Sequence, residues 1–327
     1  MTSETTLQVR DLEVRFRSQG GYAHVVKGVS FDVARGEAFA IVGESGSGKS
    51  TTALALMGLL GKNAEVRGSV SLSGTELLTL SPLARRKLLG DRIALISQDA
   101  LSSLNPSTTV GFQIAETLMV HKGMSRKAAY ARTVELLNEV GIPAASERVE
   151  HYPHQFSGGM RQRALIAMGL ALEPDLLIAD EPTTALDATI KAQILELFAT
   201  LRKRHGMSVL LITHDMGAVA RLADRMLIMY AGRAAEIGDV EEVFTTPAHP
   251  YTKALLSSIP SLRAPGARLE AIPGTPPMPD EKISGCPFHP RCNSVMPICN
   301  RELPEQTALT DRHLTTCFIS QGNLAHD

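Results

Sequence analysis

The 327-residue chain is too long for one small core and fits a full domain with an appendage. A formal net charge of -1, with charged residues at 20 % and mixed in sign, excludes a basic nucleic-acid footprint and an acidic tail. An apolar share of 44 % supports a sizeable core, while 4 % aromatics and no Trp leave no stacking platform for bases.

The opening MTSETTLQVRDLEV lacks the basic-then-apolar pattern of an export signal. Apolar runs such as Ala164–Leu172 reach about half of the ~20 residues that a bilayer span needs. A soluble, cytoplasmic chain is expected, meeting membranes only through partners. Alternation predicts strands over Leu7–Phe16 and Val29–Val33, and Ala38–Val42 reads as a third. Helical spacing follows over Thr51–Leu60, then a mostly helical stretch from Gln98 to Leu172 that includes a helix over Arg126–Val140, closed by Gly141 and Pro143. Buried strands are predicted at Leu176–Ala179, Val209–Thr213 and Met226–Met229, with a helix over Thr189–Arg204 ended by Gly206. Strands alternating with helices imply an α/β fold with a mainly parallel sheet. Composition shifts after Ile259, where a proline-rich connector, Pro260–Gly285, leads into a small C-terminal module.

Between the third strand and the first helix stands GESGSGKS, Gly43–Ser50, a full G-x-x-x-x-G-K-[ST]. A phosphate chain needs several backbone N–H groups aimed inward, and only small residues let the backbone curl so tightly. Gly43, Ser45, Gly46, Ser47, Gly48 and Thr51 are therefore candidate nucleotide contacts, at the positive end of a helix. Lys49 can set an ammonium near the β- and γ-phosphates, and the Ser50 hydroxyl can ligate Mg²⁺. The plain alternative is a chance glycine-rich turn, and the cradle alone does not separate transporters from kinases or GTPases.

LLIADE delivers Asp180 at the carboxyl end of a buried strand, where open α/β sheets bind ligands, so Asp180 is a candidate Mg²⁺ holder. Glu181 is the candidate general base for water, a role worth ~10²–10⁴-fold; the bland reading is a solvated loop-end acid. Gln98 in LISQD could reach the metal and the water, yet equally reads as a polar loop residue. His214 in LLITHD, at another strand end, could sense the γ-phosphate, where a lone His is usually structural.

The segment FSGGMRQ, Phe156–Gln162, resembles the signature of ABC-type ATPases. With GESGSGKS, Gln98, LLIADE, the ALD of Ala185–Asp187 and His214, the family's motifs stand in order over about residues 7–260. The resemblance implies a P-loop ABC-type nucleotide-binding domain with a RecA-like core and a helical subdomain (about 98–172). It closes head-to-tail on a second such domain with ATP between them. Ser157, Gly158 and Gly159, ahead of a helix over Met160–Leu172, would then serve the partner's ATP, and Asp187 would couple the sites. Phe16 matches the aromatic that stacks on adenine, with Tyr22 as the fallback.

SQDALSSLNPSTTVGFQI, YPHQFSGGMRQR, ADEPTTALDATIKAQI and PAHPYTKALL resemble the dipeptide/oligopeptide/nickel importer branch. Met160, where many signatures have Gln, resembles the D-type ATPase of importers that pair two different ATPases. Ser97 for a usual Phe and Ala100 for a usual Pro depart from the pattern away from the phosphates. The implied partners are a second, F-type ATPase, two membrane permeases and an extracytoplasmic substrate-binding protein; no nucleic acid is expected. Nickel or another metal chelate, an opine or a sugar stay open as cargo. An exporter, a soluble ABC ATPase and an ATP-silent scaffold are the rival classes.

The four cysteines, Cys286, Cys292, Cys299 and Cys317, lie in residues 261–327, separated by five, six and seventeen residues. Four thiolates suit a [4Fe–4S] cluster or a structural zinc; the C-x₂₋₄-C pairs of most zinc sites are missing. Free thiols are the third reading, and His289 and His313 read as structural or exposed.

Overall fold

The continuous apolar runs become buried strands in this computed structural model, which describes residues 4–18, 21–98, 100–184, 186–259 and 272–324. The first half contains β1 (Thr5–Ser18), β2 (Gly21–Ala34), β3 (Ala38–Val42), α1 (Lys49–Met57), β4 (Ala64–Leu72), β5 (Thr75–Glu76), α2 (Pro82–Leu88), β6 (Ile93–Ile96), α3 (Ala100–Ser103), α4 (Val110–Lys122), α5 (Arg126–Glu139), α6 (Ala145–Arg148) and α7 (Gly158–Leu170). Next come β7 (Leu176–Asp180), α8 (Ala188–His205), β8 (Ser208–Thr213), α9 (Met216–Leu222), β9 (Arg225–Tyr230), β10 (Arg233–Asp239), α10 (Val240–Thr245) and α11 (Pro250–Ser257). The C-terminal stretch adds β11 (Thr307–Ala308), β12 (Leu314–Thr315) and α12 (Phe318–Leu324). Part of the proline-rich connector, 260–271, lies outside the described residues, as does Ala185 of the ALD motif. Among the described residues no helix is long and apolar enough to cross a membrane.

The chain divides into two units by its internal contacts. The first comprises residues 1–6, 34–38 and 79–211. Its β6 and β7 run parallel, Ile93 facing Leu176 and Ile96 facing Ala179. Being buried, these strands read as unbroken apolar runs rather than alternating ones. Helices α4, α5 and α7 pack on one another, burying Ile114, Leu136, Ala164 and Ile166 completely. Ser125 starts α5 by accepting from the Ala128 N–H, and Gly206 ends α8 in the left-handed conformation, φ 64°. At the end of α8, His205 and Arg204 reach the Glu139 carboxylate at 2.7 and 3.2 Å.

The second unit comprises residues 7–33, 39–78 and 212–327. It holds an antiparallel sheet in the order β2-β1-β4-β5 and the strand run β11-β12-β10-β9-β3. Within that run β3 and β9 are parallel, Phe39 facing Arg225 and Val42 facing Ile228. Strand β2 begins earlier than the alternation predicts because its first half, GYAHVVKG, sets apolar residues side by side instead of alternating them and is mostly exposed or half-buried. The buried Glu236 of β10 sits where an apolar residue is expected. It accepts hydrogen bonds from the N–H groups of Ala248 and His249 and meets His313 at 2.7 Å. These partners offset its desolvation and hold the carboxyl below its usual range against burial. His313, 2 % exposed, is thus structural.

Candidate active site

In the second unit, β3 runs into the loop Gly43–Gly48, and α1 begins at Lys49, two residues before the helix expected from spacing. Gly48 stands at φ 102° and a Cβ there would lie 3.0 Å from the Val25 carbonyl oxygen. At Gly43 a Cβ would fall 2.3 Å from the Met229 carbonyl oxygen. Both positions accept only glycine, so the loop's curl is dictated by its sequence. No side chain caps α1, which leaves its first N–H groups directed into the loop. Lys49 donates from Nζ to the carbonyls of Gly43 and Glu44 at 2.7 and 2.9 Å. Ser45, Gly46 and Ser50 are exposed and Thr51 half-buried, while Ser47 is buried. The Ser47 hydroxyl has no hydrogen-bond partner among the described residues. A cradle closed to any Cβ, an uncapped helix start and an adjacent ammonium together fit a phosphate chain.

Phe16 lies in β1 opposite Ala64. Tyr22 is 51 % exposed and its hydroxyl accepts from Arg17 at 3.2 Å. His214 is exposed at the end of β8. The next residue, Asp215, caps α9 by accepting from the N–H groups of Gly217 and Ala218.

The first unit presents the carboxylates. Asp180 ends β7 and Glu181 follows with a left-handed backbone, φ 46°. That conformation is uncommon for a non-glycine residue and concentrates at functional sites. Gln98, after the neighbouring β6, donates to Glu181 Oε2 at 3.4 Å, and the Thr184 hydroxyl donates to the same oxygen at 2.7 Å. The parallel pair therefore brings Gln98 and Glu181 together as the motif order implies. Thr184 is missed by the sequence reading; its signal is the i+3 spacing from Glu181.

Ser157 caps α7, its Oγ accepting from the Met160 N–H at 3.3 Å, and the helix starts at Gly158, two residues earlier than expected. Asp187 caps α8 by accepting from the N–H groups of Thr189 and Ile190 at 3.1 and 3.0 Å.

The thiols of Cys286, Cys292 and Cys317 are pushed up, first by burial, Cys286 to about 11. Cys286 is raised further by the charges of Cys299, Cys317 and Cys292, so the four sulfurs lie within electrostatic reach of one another. Backbone hydrogen bonds from Phe288, Ser294, Ile319 and Ser320 act in the opposite direction. Among the described residues no group of three or more His, Cys, Asp or Glu side chains is arranged to hold a metal ion. His289 Nδ1 is 2.9 Å from the Cys286 carbonyl oxygen.

Comparison with known proteins bears on both ends of the chain. Residues 26–184 match the model described as ABC transporter, and residues 235–299 match the oligopeptide/dipeptide transporter C-terminal region. The chain is 50 % identical to the dipeptide transport ATP-binding protein DppD of Bacillus subtilis (strain 168), covering 99 % of this chain and 97 % of that one. It is 47 % identical to the oligopeptide transport ATP-binding protein OppD of Salmonella typhimurium, covering 95 % and 93 %. Among solved structures it is similar to a dimeric, post-hydrolysis state of the ATP-binding cassette MJ0796 bound to ADP and Pi. There the TM-score is 0.65 at 25 % identity, over 72 % of this chain and 98 % of that one.

Proposed function

Because the chain belongs to the family of ABC transporter ATP-binding subunits that includes the dipeptide and oligopeptide transport proteins, we propose that it hydrolyses ATP to drive uptake of di- or oligopeptides. The observation that carries the peptide assignment is the match of residues 235–299 to the C-terminal region of peptide transporters.

The loop Gly43–Ser50 and Lys49 hold the β- and γ-phosphates, and Phe16, with Tyr22 as the fallback, stacks on adenine. Ser50, Gln98 and Asp180 hold Mg²⁺, which when bound neutralises charge on the transferring phosphoryl group. Glu181 takes the proton of the attacking water as that oxygen bonds to the γ-phosphorus and the bond to the ADP oxygen breaks. Gln98 and Thr184 orient the Glu181 carboxylate, and His214 positions the water from the γ-phosphate side. Ser157, Gly158 and Gly159 offer their donors to nucleotide held by a second ATPase, and Asp187 links the two sites.

The partners of this reading are a different, F-type ATPase, two permeases and a substrate-binding protein, with the chain peripheral on the cytoplasmic face of the membrane. Residues 98–140 carry the permease contact; Val120 there is 73 % exposed. Residues 1–260 act as the motor, and residues 261–327 add a module in which Cys286, Cys292, Cys299 and Cys317 hold a [4Fe–4S] cluster, a group that supplies bracing or one-electron chemistry. Iron and acid-labile sulfide in anaerobically purified protein are the expected finding; stoichiometric zinc without sulfide overturns the cluster.

The test of function is co-purification. A tagged Glu181→Gln chain, extracted gently from native membranes with ATP and Mg²⁺, is expected to bring two permeases and a second ATPase. Recovery only from the soluble fraction, with ribosomes, DNA or nothing, refutes the transporter role.

A further inference from the structure

A carboxylate at the second position of a phosphate cradle is out of place on electrostatic grounds. Glu44 follows Gly43 directly, and an anion there repels a triphosphate unless something neutralises it. The structure supplies the neutralising group from the far end of the chain. Arg291 grips the Glu44 carboxylate with both terminal nitrogens, Nη1 to Oε2 at 2.6 Å and Nη2 to Oε1 at 3.0 Å. This two-pronged geometry is the strongest form of the pair and fixes orientation as well as charge.

Arg291 is itself anchored. Its Nε donates to the Pro273 carbonyl at 2.8 Å, Nη1 also reaches the Tyr230 hydroxyl at 3.3 Å, and its side chain is 5 % exposed. The Glu44 backbone is held as well: its N–H donates to the Tyr251 hydroxyl at 2.9 Å, and its carbonyl accepts from the Ser47 N–H and Lys49 Nζ. Tyr251 and Tyr230 pack with Phe288, ring centroids 4.7 to 5.3 Å apart. Every polar group of Glu44 is thus committed, two of them to residues beyond position 250. All of these residues belong to the second unit.

We propose that Arg291 is a positioning residue for the phosphate loop: paired with Glu44, it cancels the loop's one carboxylate and holds residues 43–50 in the shape that receives ATP. The C-terminal module is thereby part of the nucleotide site. Arg291 also stands between Cys286 and Cys292, so whatever the thiols bind is one residue from the latch. The inference rests on ATP binding alone and is independent of the cargo.

The test uses the full chain with ATP and Mg²⁺ and no transport partner, so its outcome is separate from that of the peptide reading. Arg291→Ala is expected to raise the Kd for ATP, read by equilibrium binding, about tenfold or more, the scale of a charge-assisted hydrogen bond. Adding Glu44→Gln removes the stranded charge and is expected to recover most of the affinity; Arg291→Lys should fall between. A lowered melting temperature with unchanged ATP affinity, or no recovery in the double variant, overturns the proposal. Should Arg291→Ala fail to fold, the neutral pair Arg291→Gln with Glu44→Gln is compared with Arg291→Gln alone. Weaker ATP binding in the single variant supports the latch, and equal binding in the two refutes it.

Discussion

The phosphate loop and the signature segment are both glycine-rich turns leading into a helix, yet they are built on opposite terms. At Gly43 a Cβ would fall 2.3 Å from a backbone carbonyl oxygen, Gly48 stands at φ 102°, and α1 starts with no side-chain cap. At Gly158 a Cβ would meet only the Leu186 side chain, at 3.8 Å, whereas at Gly159 it would press on the Ile190 side chain at 2.8 Å, and Ser157 already caps the helix. The loop's glycines are required by this fold. No described residue requires glycine at position 158, which fits the proposal that this position faces nucleotide held by a second ATPase. Under the proposed head-to-tail pairing, each chain would supply one closed half-site and one open one.

The sharpest way to break that contrast is to separate binding from chemistry. Lys49→Ala should abolish productive nucleotide binding. Glu181→Gln should leave binding intact while slowing turnover by about 10²–10⁴-fold; near-normal turnover in a direct phosphate-release assay would remove Glu181 as the base. A smaller effect sharpens the glycine comparison. Gly43→Ala should destabilise the chain, because its methyl meets a backbone carbonyl that cannot yield. Gly158→Ala should leave the isolated chain as stable or firmer by roughly 0.5–1 kcal/mol, the helical preference of Ala over Gly, while lowering ATP turnover in the assembled pair. Equal losses of melting temperature in the two variants would erase the distinction. The smallest effect is that of Ser157→Ala, expected to cost about 1 kcal/mol through the lost cap, read by denaturant unfolding. No measurable loss would mean that the Met160 hydrogen bond does not stabilise α7.

The parts of this molecule that ATP chemistry needs are the parts most legible in sequence. Strands β3, β7 and β8 are short apolar runs, and each is buried as that pattern requires. The motifs follow directly at their ends, so locating the strand locates the motif. Strands β10 and β12 escape the same reading because β10 carries Arg233, Glu236 and Asp239, while β12 is only two residues long. Beside their pairing Glu236 meets His313, a contact 77 residues apart that no local pattern signals. The Thr184 bond to Glu181 was within reach of spacing alone; the Arg291 bond to Glu44 was not, since nothing near either residue names its partner.

That last pair has a consequence for how the protein is made. Glu44 leaves the ribosome 247 residues before Arg291, an interval on the order of tens of seconds at common translation rates of roughly 5–20 residues per second. Through that interval Glu44 has been made and its counter-charge has not. On the proposed latch, ATP affinity is therefore expected to rise only once residue 291 has emerged and paired with Glu44.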